Sequence, residues 1–138
     1  MIKSLVLAVL AVFALAVMPA LAAGPPPYRP LSLAIDSGTK TATATSGAAT
    51  LNKSAGVITT ESLSTAAAGT YTLTLTDSQI AAADQVYASV AYGTSTTGSP
   101  VVTRITPAAG SVVIIVQNIH ASAALNGTLK IAFHVLKN

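Results

Sequence analysis

The side chains that could perform acid, base or metal chemistry are few in this sequence. They are two histidines and four acids, namely His120, His134, Asp36, Glu61, Asp77 and Asp84. Two histidines without a third suitably spaced nitrogen, oxygen or sulfur ligand do not define a metal site. Asp77 and Asp84 could pair as general acid and base or bind calcium, but a helix cap and a solvated turn residue explain them better. We therefore predict no catalytic residue, no metal and no cofactor.

The composition excludes further function classes. The chain has no Cys, which removes thiol chemistry and disulfides, and no serine lies in a G-x-S-x-G elbow. The net charge is only +3 and the charges are scattered, which is too dilute a field to attract nucleic acid. With 51% hydrophobic and 8% charged residues and no Cys, the chain must fold by packing and hydrogen bonding alone. We predict that it is not an enzyme.

The N-terminal segment has the pattern of an export signal. Lys3 precedes an apolar run over residues 5–18, and "ALA" at residues 20–22 offers the small residues that a signal peptidase recognises. We expect cleavage after Ala22, and an exported protein. A retained anchor helix is the alternative, although the run is shorter than the roughly 20 residues that cross a bilayer, and only in that case do we expect contact with a membrane. Residues 23–30, "AGPPPYRP", predict an extended Pro-rich arm.

From residue 31 the apolar pattern changes to period two. "LSLAID" and "TYTLTLTD" alternate apolar with polar side chains, as half-buried strands do. Further strands are predicted at residues 48–52, 56–63, 85–92, 101–106, 111–119 and 128–136, separated by Gly- and Pro-containing turns. Residues 77–84 could form a helix of at most two turns that crosses between sheets. The pattern predicts an all-β domain over residues 31–138, a single antiparallel β-sandwich of Greek-key or jelly-roll type.

The last two predicted strands carry more apolar surface than one core needs. "SVVIIVQNI" is apolar on both faces, so we expect a central strand that is covered on both sides. In "TLKIAFHVL" one face is apolar, and Asn126-Gly127 before it suits a tight turn with positive φ. The apolar surface that these strands turn outward predicts association with copies of the same chain, with Leu136 and His134 as candidate interface residues.

Residues 49–138 resemble a β-domain of tailed-phage and prophage structural proteins, including fibre-like and particle-surface proteins. The most specific stretches are "NKSAGVITTE", "VTRITPAAG" and "QNIHASAALNGTLKIAF". The resemblance implies a virion-surface building block, with other virion or cell-surface proteins as partners, and it transfers no catalytic residue. An export signal does not belong on a particle that assembles in the cytoplasm. A particle with a lipid membrane, or a phage relative recruited as an exported surface protein, would accommodate both features.

Two function classes stay open at this stage. The first is a non-enzymatic structural and interaction protein that self-associates on a virion surface or after export. The second is an exported, adhesin-like ligand-binding module for glycans, whose loop residues form a shallow site. Candidate ligand contacts for it are Tyr87, Tyr92, Arg104 and His120. The scarcity of aromatic residues, 4% of the chain, favours the first class.

Two of these side chains, Tyr87 and Arg104, also have structural interpretations, as does Tyr71. Tyr71 and Tyr87 lie inside alternating strands, so we expect both in the core instead of on a binding platform. Arg104 is set between apolar neighbours. We expect its guanidinium to bind backbone carbonyls or an acid such as Glu61.

The first testable prediction is that the fold does not need residues 1–30. The signal segment directs export and is not expected to be part of the folded domain. The Pro-rich arm lacks the alternation of apolar and polar residues that would bury one of its faces. A chain that begins at Leu31 is expected to unfold cooperatively on heating and to give a β-type circular dichroism spectrum. Aggregation or loss of cooperativity would show that the arm is part of the fold.

Overall fold

The computed structural model describes residues 40–138, and this part of the chain is all-β, as predicted. The predictions for the signal segment, the Pro-rich arm and the "LSLAID" strand lie outside the described residues. Ten strands follow one another: β1 (Thr41–Thr43), β2 (Ala48–Thr50), β3 (Ala55–Thr59), β4 (Leu63–Thr65), β5 (Thr70–Thr76), β6 (Gln85–Tyr92), β7 (Pro100–Ala108), β8 (Ser111–Asn118), β9 (Leu125–Gly127) and β10 (Leu129–Leu136).

The strands form two four-stranded sheets and one small sheet. Sheet A has the order β1-β3-β10-β6, sheet B has the order β2-β5-β8-β7, and β4 pairs with β9. Alternate residues of the long strands face one shared hydrophobic core, as the period-two pattern predicts. Ile58 and Ile131 of sheet A and Leu73 and Ile114 of sheet B are completely buried in it.

The prediction of a purely antiparallel arrangement is wrong at two edges. β1 pairs with β3 and β2 pairs with β5 in parallel, so both large sheets are mixed. Here the chain passes from sheet A to sheet B and back, and sequential strands do not pair as hairpins. The passage from β1 to β2 uses a tight turn in which Ser46 and Gly47 both have positive φ, 52° and 74°, between the bridged residues Thr45 and Ala48.

Residues 77–84 connect sheet B to sheet A, as predicted, but they form two consecutive turns and no helix. Asp77 Oδ1 accepts a hydrogen bond from the backbone N–H of Gln79 at 2.8 Å. This side-chain bond competes with helical bonding, which is why Asp favours turns. The backbone N–H of Gly110, in the turn between β7 and β8, donates to the Ile80 carbonyl at 2.9 Å and so links that turn to residues 77–84.

Strand β8 is central in its sheet, as predicted, but only one of its faces is covered. Val112, Ile114 and Val116 are buried in the core, whereas Val113 and Ile115 on the outer face are half-buried. The expectation of cover on both sides is therefore not met within residues 40–138. Asn126-Gly127 likewise does not form the predicted tight turn. Gly127 has the expected positive φ of 92°, but both residues belong to β9 and pair with β4.

Strand β7 contains an irregularity that changes which side chains face the core. The register with β8 shifts between Val102 and Arg104, so Thr103 is an extra residue. Val102 and Ile105 consequently both pack against the core although they lie three positions apart. Strands β6 and β7 run alongside each other at one side of the two large sheets.

Asn118, at the end of β8, joins the loops at one end of the molecule. Its side chain is fully buried. The Nδ2 group donates to the carbonyls of Thr65, Ala66 and Ala123 at 3.3, 3.1 and 2.8 Å. The Oδ1 atom accepts from the N–H groups of Ser99 and His120 at 2.9 and 3.2 Å. One amide therefore satisfies backbone groups from three separate loops.

We predict that Asn118→Ala lowers the free energy of unfolding by about 3 kcal/mol, because it leaves several backbone groups without partners. Urea unfolding followed by circular dichroism measures this change. The matched control is Asn126→Ala, an exposed asparagine in neighbouring β9, which we expect to change stability by less than about 0.5 kcal/mol. Equal effects of the two substitutions would contradict the structural role of Asn118.

Candidate functional site

Two acidic side chains among residues 40–138, those of Glu61 and Asp84, accept hydrogen bonds that stabilise the fold. Glu61 accepts from the Gly47 N–H at 2.8 Å with Oε1 and from the Tyr71 hydroxyl at 3.0 Å with Oε2. Glu61 thereby fixes the turn between β1 and β2 against β5. Burial raises the pKa of the Tyr71 hydroxyl well above its ordinary range, and the hydrogen bond to Glu61 adds to this shift.

Asp84 fixes the C-terminus of the chain. Its Oδ2 atom lies 2.6 Å from Lys137 Nζ and 2.7 Å from the Ala81 N–H. Its Oδ1 atom accepts from the N–H of Asn138 at 3.3 Å. The hydrogen bond from Lys137, followed by that from Ala81, lowers the pKa of Asp84 below its ordinary value of 3.8. Lys137 also donates to the Gln79 carbonyl, so it holds the crossing segment between the two large sheets.

Among residues 40–138, no group of three His, Asp or Glu side chains could hold a metal ion. The same residues contain no helix that is long and apolar enough to cross a membrane.

The predicted ligand contacts lie on three different elements of the structure. Arg104 lies on the outer face of sheet B, opposite Ile115. Tyr92 lies at the end of β6, where its hydroxyl donates to the Gly98 carbonyl at 2.9 Å. His120 lies in the loop after β8, and its Nδ1 atom accepts from the N–H groups of residues 122 and 123 at 3.1 and 2.8 Å. Tyr92 and His120 thus have roles in loop structure, whereas Arg104 lies on a sheet face.

The predicted tie between Arg104 and Glu61 is not formed. Arg104 is exposed, and its guanidinium makes no hydrogen bond or ion pair with residues 40–138. Both oxygens of Glu61 are instead engaged by Gly47 and Tyr71. The extra residue Thr103 turns the Arg104 side chain to the outer face of its sheet, away from the core.

The two tyrosines predicted to be core residues have opposite environments. Tyr71 is 9% exposed, which confirms the prediction for it, but Tyr87 is 57% exposed, so the prediction for it is wrong. In β6 the side chains of Val86, Ala88 and Val90 face the core and therefore turn Tyr87 outward. The Tyr87 hydroxyl donates to Gln85 Oε1 at 3.0 Å, which restricts the orientation of the ring.

A depression of about 260 Å³ lies beside Tyr87 on the outer face of sheet A. It is lined by residues of β6 and β10: Tyr87, Ala88, Ser89, Ala132, Phe133 and His134. Tyr87 pairs directly with His134, and Ser89 pairs with Ala132. Because Ser89 and Ala132 have small side chains, the depression forms there, beside the ring of Tyr87 and the imidazole of His134. A second depression of about 280 Å³ also borders Tyr87 and extends to Ile105 and Pro107 of β7.

The outer face of sheet B has a different character. The outward residues of β5 are all threonines, and they lie beside Val113 and Ile115 of β8. Across β8 lie the outward residues of β7, namely Val101, Arg104, Thr106 and Ala108. Arg104 is the only charged side chain among the outward residues of these three strands. This face therefore presents β-branched side chains with little charge. The predicted interface residues His134 and Leu136 lie on the opposite sheet, where Leu136 is 48% exposed.

Comparisons with protein-family models, with curated proteins and with solved structures find no match to this chain. The resemblance to phage structural proteins accordingly stays a prediction from the sequence.

We predict that the pairing of Asp84 makes the fold sensitive to acid. Because its pKa is lowered in the folded state, Asp84 stabilises the fold above the ordinary value of 3.8, and this contribution is lost as the pH falls through the lower folded value. Urea unfolding between about pH 2 and about pH 7 measures the effect.

The variant Asp84→Asn is expected to be less stable than the native chain near neutral pH and to depend less steeply on pH below about pH 4. Lys137→Gln serves as the second variant, since it removes the largest cause of the lowered pKa and keeps the carboxylate. Native-like acid dependence in both variants would contradict this role.

Proposed function

We propose that this chain is a non-enzymatic building block of a surface assembly, a β-sandwich that associates with copies of itself. The two large sheets with one common core support the sandwich architecture. The structural roles of Glu61 and Asp84 support the absence of catalysis. The resemblance to phage surface proteins and the export pattern of residues 1–22 support a place on a virion surface or on the outside of a cell.

The outer face of sheet B is the observation that carries the proposal of self-association. Val113 and Ile115 are only half-buried there, and Arg104 is the single charge among the outward residues of β5, β7 and β8. A soluble monomer usually breaks up such a surface with charged side chains. Threonine and β-branched aliphatic side chains on a sheet face can instead pack against the same face of a second copy.

The side of sheet A that carries Leu136 and His134 is the alternative contact surface. Leu136 is exposed there, and Lys130 is the charged residue on the same outer face of β10. That face also contains the depression beside Tyr87, whereas the outward threonines of β5 lie in a row beside Val113 and Ile115, so we favour the face of sheet B. Substitutions on the two sheets distinguish these surfaces.

We predict that the purified protein is a homo-oligomer whose mass by light scattering falls on dilution. Ile115→Lys should give a folded monomer, because its outward side chain can carry the ammonium group into solvent without entering the core. Leu136→Lys, the matched substitution on the other sheet, should leave the oligomer intact.

If only Leu136→Lys dissociates the oligomer, the interface lies on sheet A. A native chain that stays monomeric throughout a wide dilution series would overturn self-association. The mass of the protein recovered from its natural location tests the second part of the proposal, since an exported protein should begin at Ala23.

A further inference from the structure

We propose that the depression beside Tyr87 binds a sugar ring of a neutral glycan. This inference is independent of self-association through sheet B, because the depression lies on the outer face of sheet A. It shares Tyr87 with the loop site that the sequence predicts, but it is formed by two strands of a sheet, and neither Tyr92, Arg104 nor His120 lines it.

The aromatic ring of Tyr87 supplies the first element of such a site. A pyranose ring has an apolar C–H face, which packs on the face of an aromatic side chain. Tyr87 is the most exposed tyrosine among residues 40–138, and its hydroxyl is held by Gln85. The ring is thus presented to solvent in a restricted orientation, so less conformational entropy is lost on binding.

Polar groups at the edge of the depression supply the second element. The hydroxyl of Ser89 and the imidazole of His134 form no hydrogen bond with any residue in the described part of the chain. Both groups can donate and accept, as sugar hydroxyls can. Their positions next to Tyr87 are fixed by the register of β6 with β10.

The size and charge of the depression favour a neutral sugar over other ligands. Its volume of about 260 Å³ is below the roughly 300–1,000 Å³ of pockets that enclose drug-sized molecules. Its lining contains neither a carboxylate nor a Lys or Arg side chain, so it offers no fixed charge to an anionic ligand. An open, shallow site suits a ligand that keeps most of its hydroxyls in water.

The second depression extends the inference to a chain of sugars. Tyr87 borders both depressions, and the second one adds Gln85, the apolar surface of Ile105 and Pro107, and Asp84, whose carboxylate is paired with Lys137. A linear oligosaccharide that crosses Tyr87 can contact both. We therefore expect an oligosaccharide to bind more tightly than a single sugar.

The test is an NMR titration of the isotope-labelled protein with cellohexaose, maltohexaose and chitohexaose, each followed through the backbone amide signals. We expect at least one of them to shift the signals of Tyr87, Ser89 and His134 saturably, with a dissociation constant of about 1 mM. The corresponding monosaccharide should bind more weakly.

Three tyrosine variants localise the effect. Tyr87→Ala should weaken binding at least tenfold, whereas Tyr87→Phe, which keeps the ring, should bind within a few-fold of the native protein. Tyr92→Ala, which removes another exposed tyrosine of the same strand, should bind like the native protein. Dispersed amide signals verify that each variant is folded.

Three results would overturn the proposal. One is that none of the three hexasaccharides shifts these signals. Another is that Tyr87→Ala binds as well as the native protein. The third is that the same signals shift with protein concentration in the absence of sugar, which would show that a second copy occupies this face. Dissociation of the oligomer by Ile115→Lys without loss of sugar binding would separate the two proposals.

Discussion

The buried amide of Asn118 is the constraint on which one end of this molecule depends. Three loops meet there, and each would otherwise bring unsatisfied backbone groups next to a fully buried side chain. The cost of leaving such groups unpaired exceeds the net gain from an ordinary hydrogen bond. The loop before β7, the loop after β4 and the loop after β8 are thus coupled through a single side chain. A change in any of them must either preserve that geometry or lose stability.

The two sheets share a core but present different chemistry to the outside. Sheet B exposes threonines around half-buried Val113 and Ile115, a surface suited to flat packing. Sheet A exposes a tyrosine and an imidazole beside small side chains, a surface with a depression and free polar groups. One fold can therefore hold a contact with a neighbouring copy on one face and keep a small ligand accessible on the other.

The period-two pattern was sufficient to predict the long strands and their buried faces. Leu129, Ile131, Phe133 and Val135 of β10 are buried as that pattern requires. Tyr87 was predicted wrongly although β-branched Val86 and Val90, at alternating positions of the same strand, indicated that it faces outward. The orientation of Arg104 could not be predicted, because the extra residue in β7 leaves no mark in the alternation. The role of Asn118 depends on Thr65 and Ala66, which are 53 and 52 positions away in the chain and which local patterns do not connect to it.

The edges of the two large sheets limit the kind of particle that copies of this chain could build. β7 is a long edge strand, but Pro100, Pro107 and the bulge at Thr103 obstruct a further strand. β6 runs alongside β7, and β1 and β2 have only three residues each. Copies would therefore meet through sheet faces. A contact between two identical faces has two-fold symmetry and uses up the surface that forms it. Association through that face alone would therefore stop at a dimer.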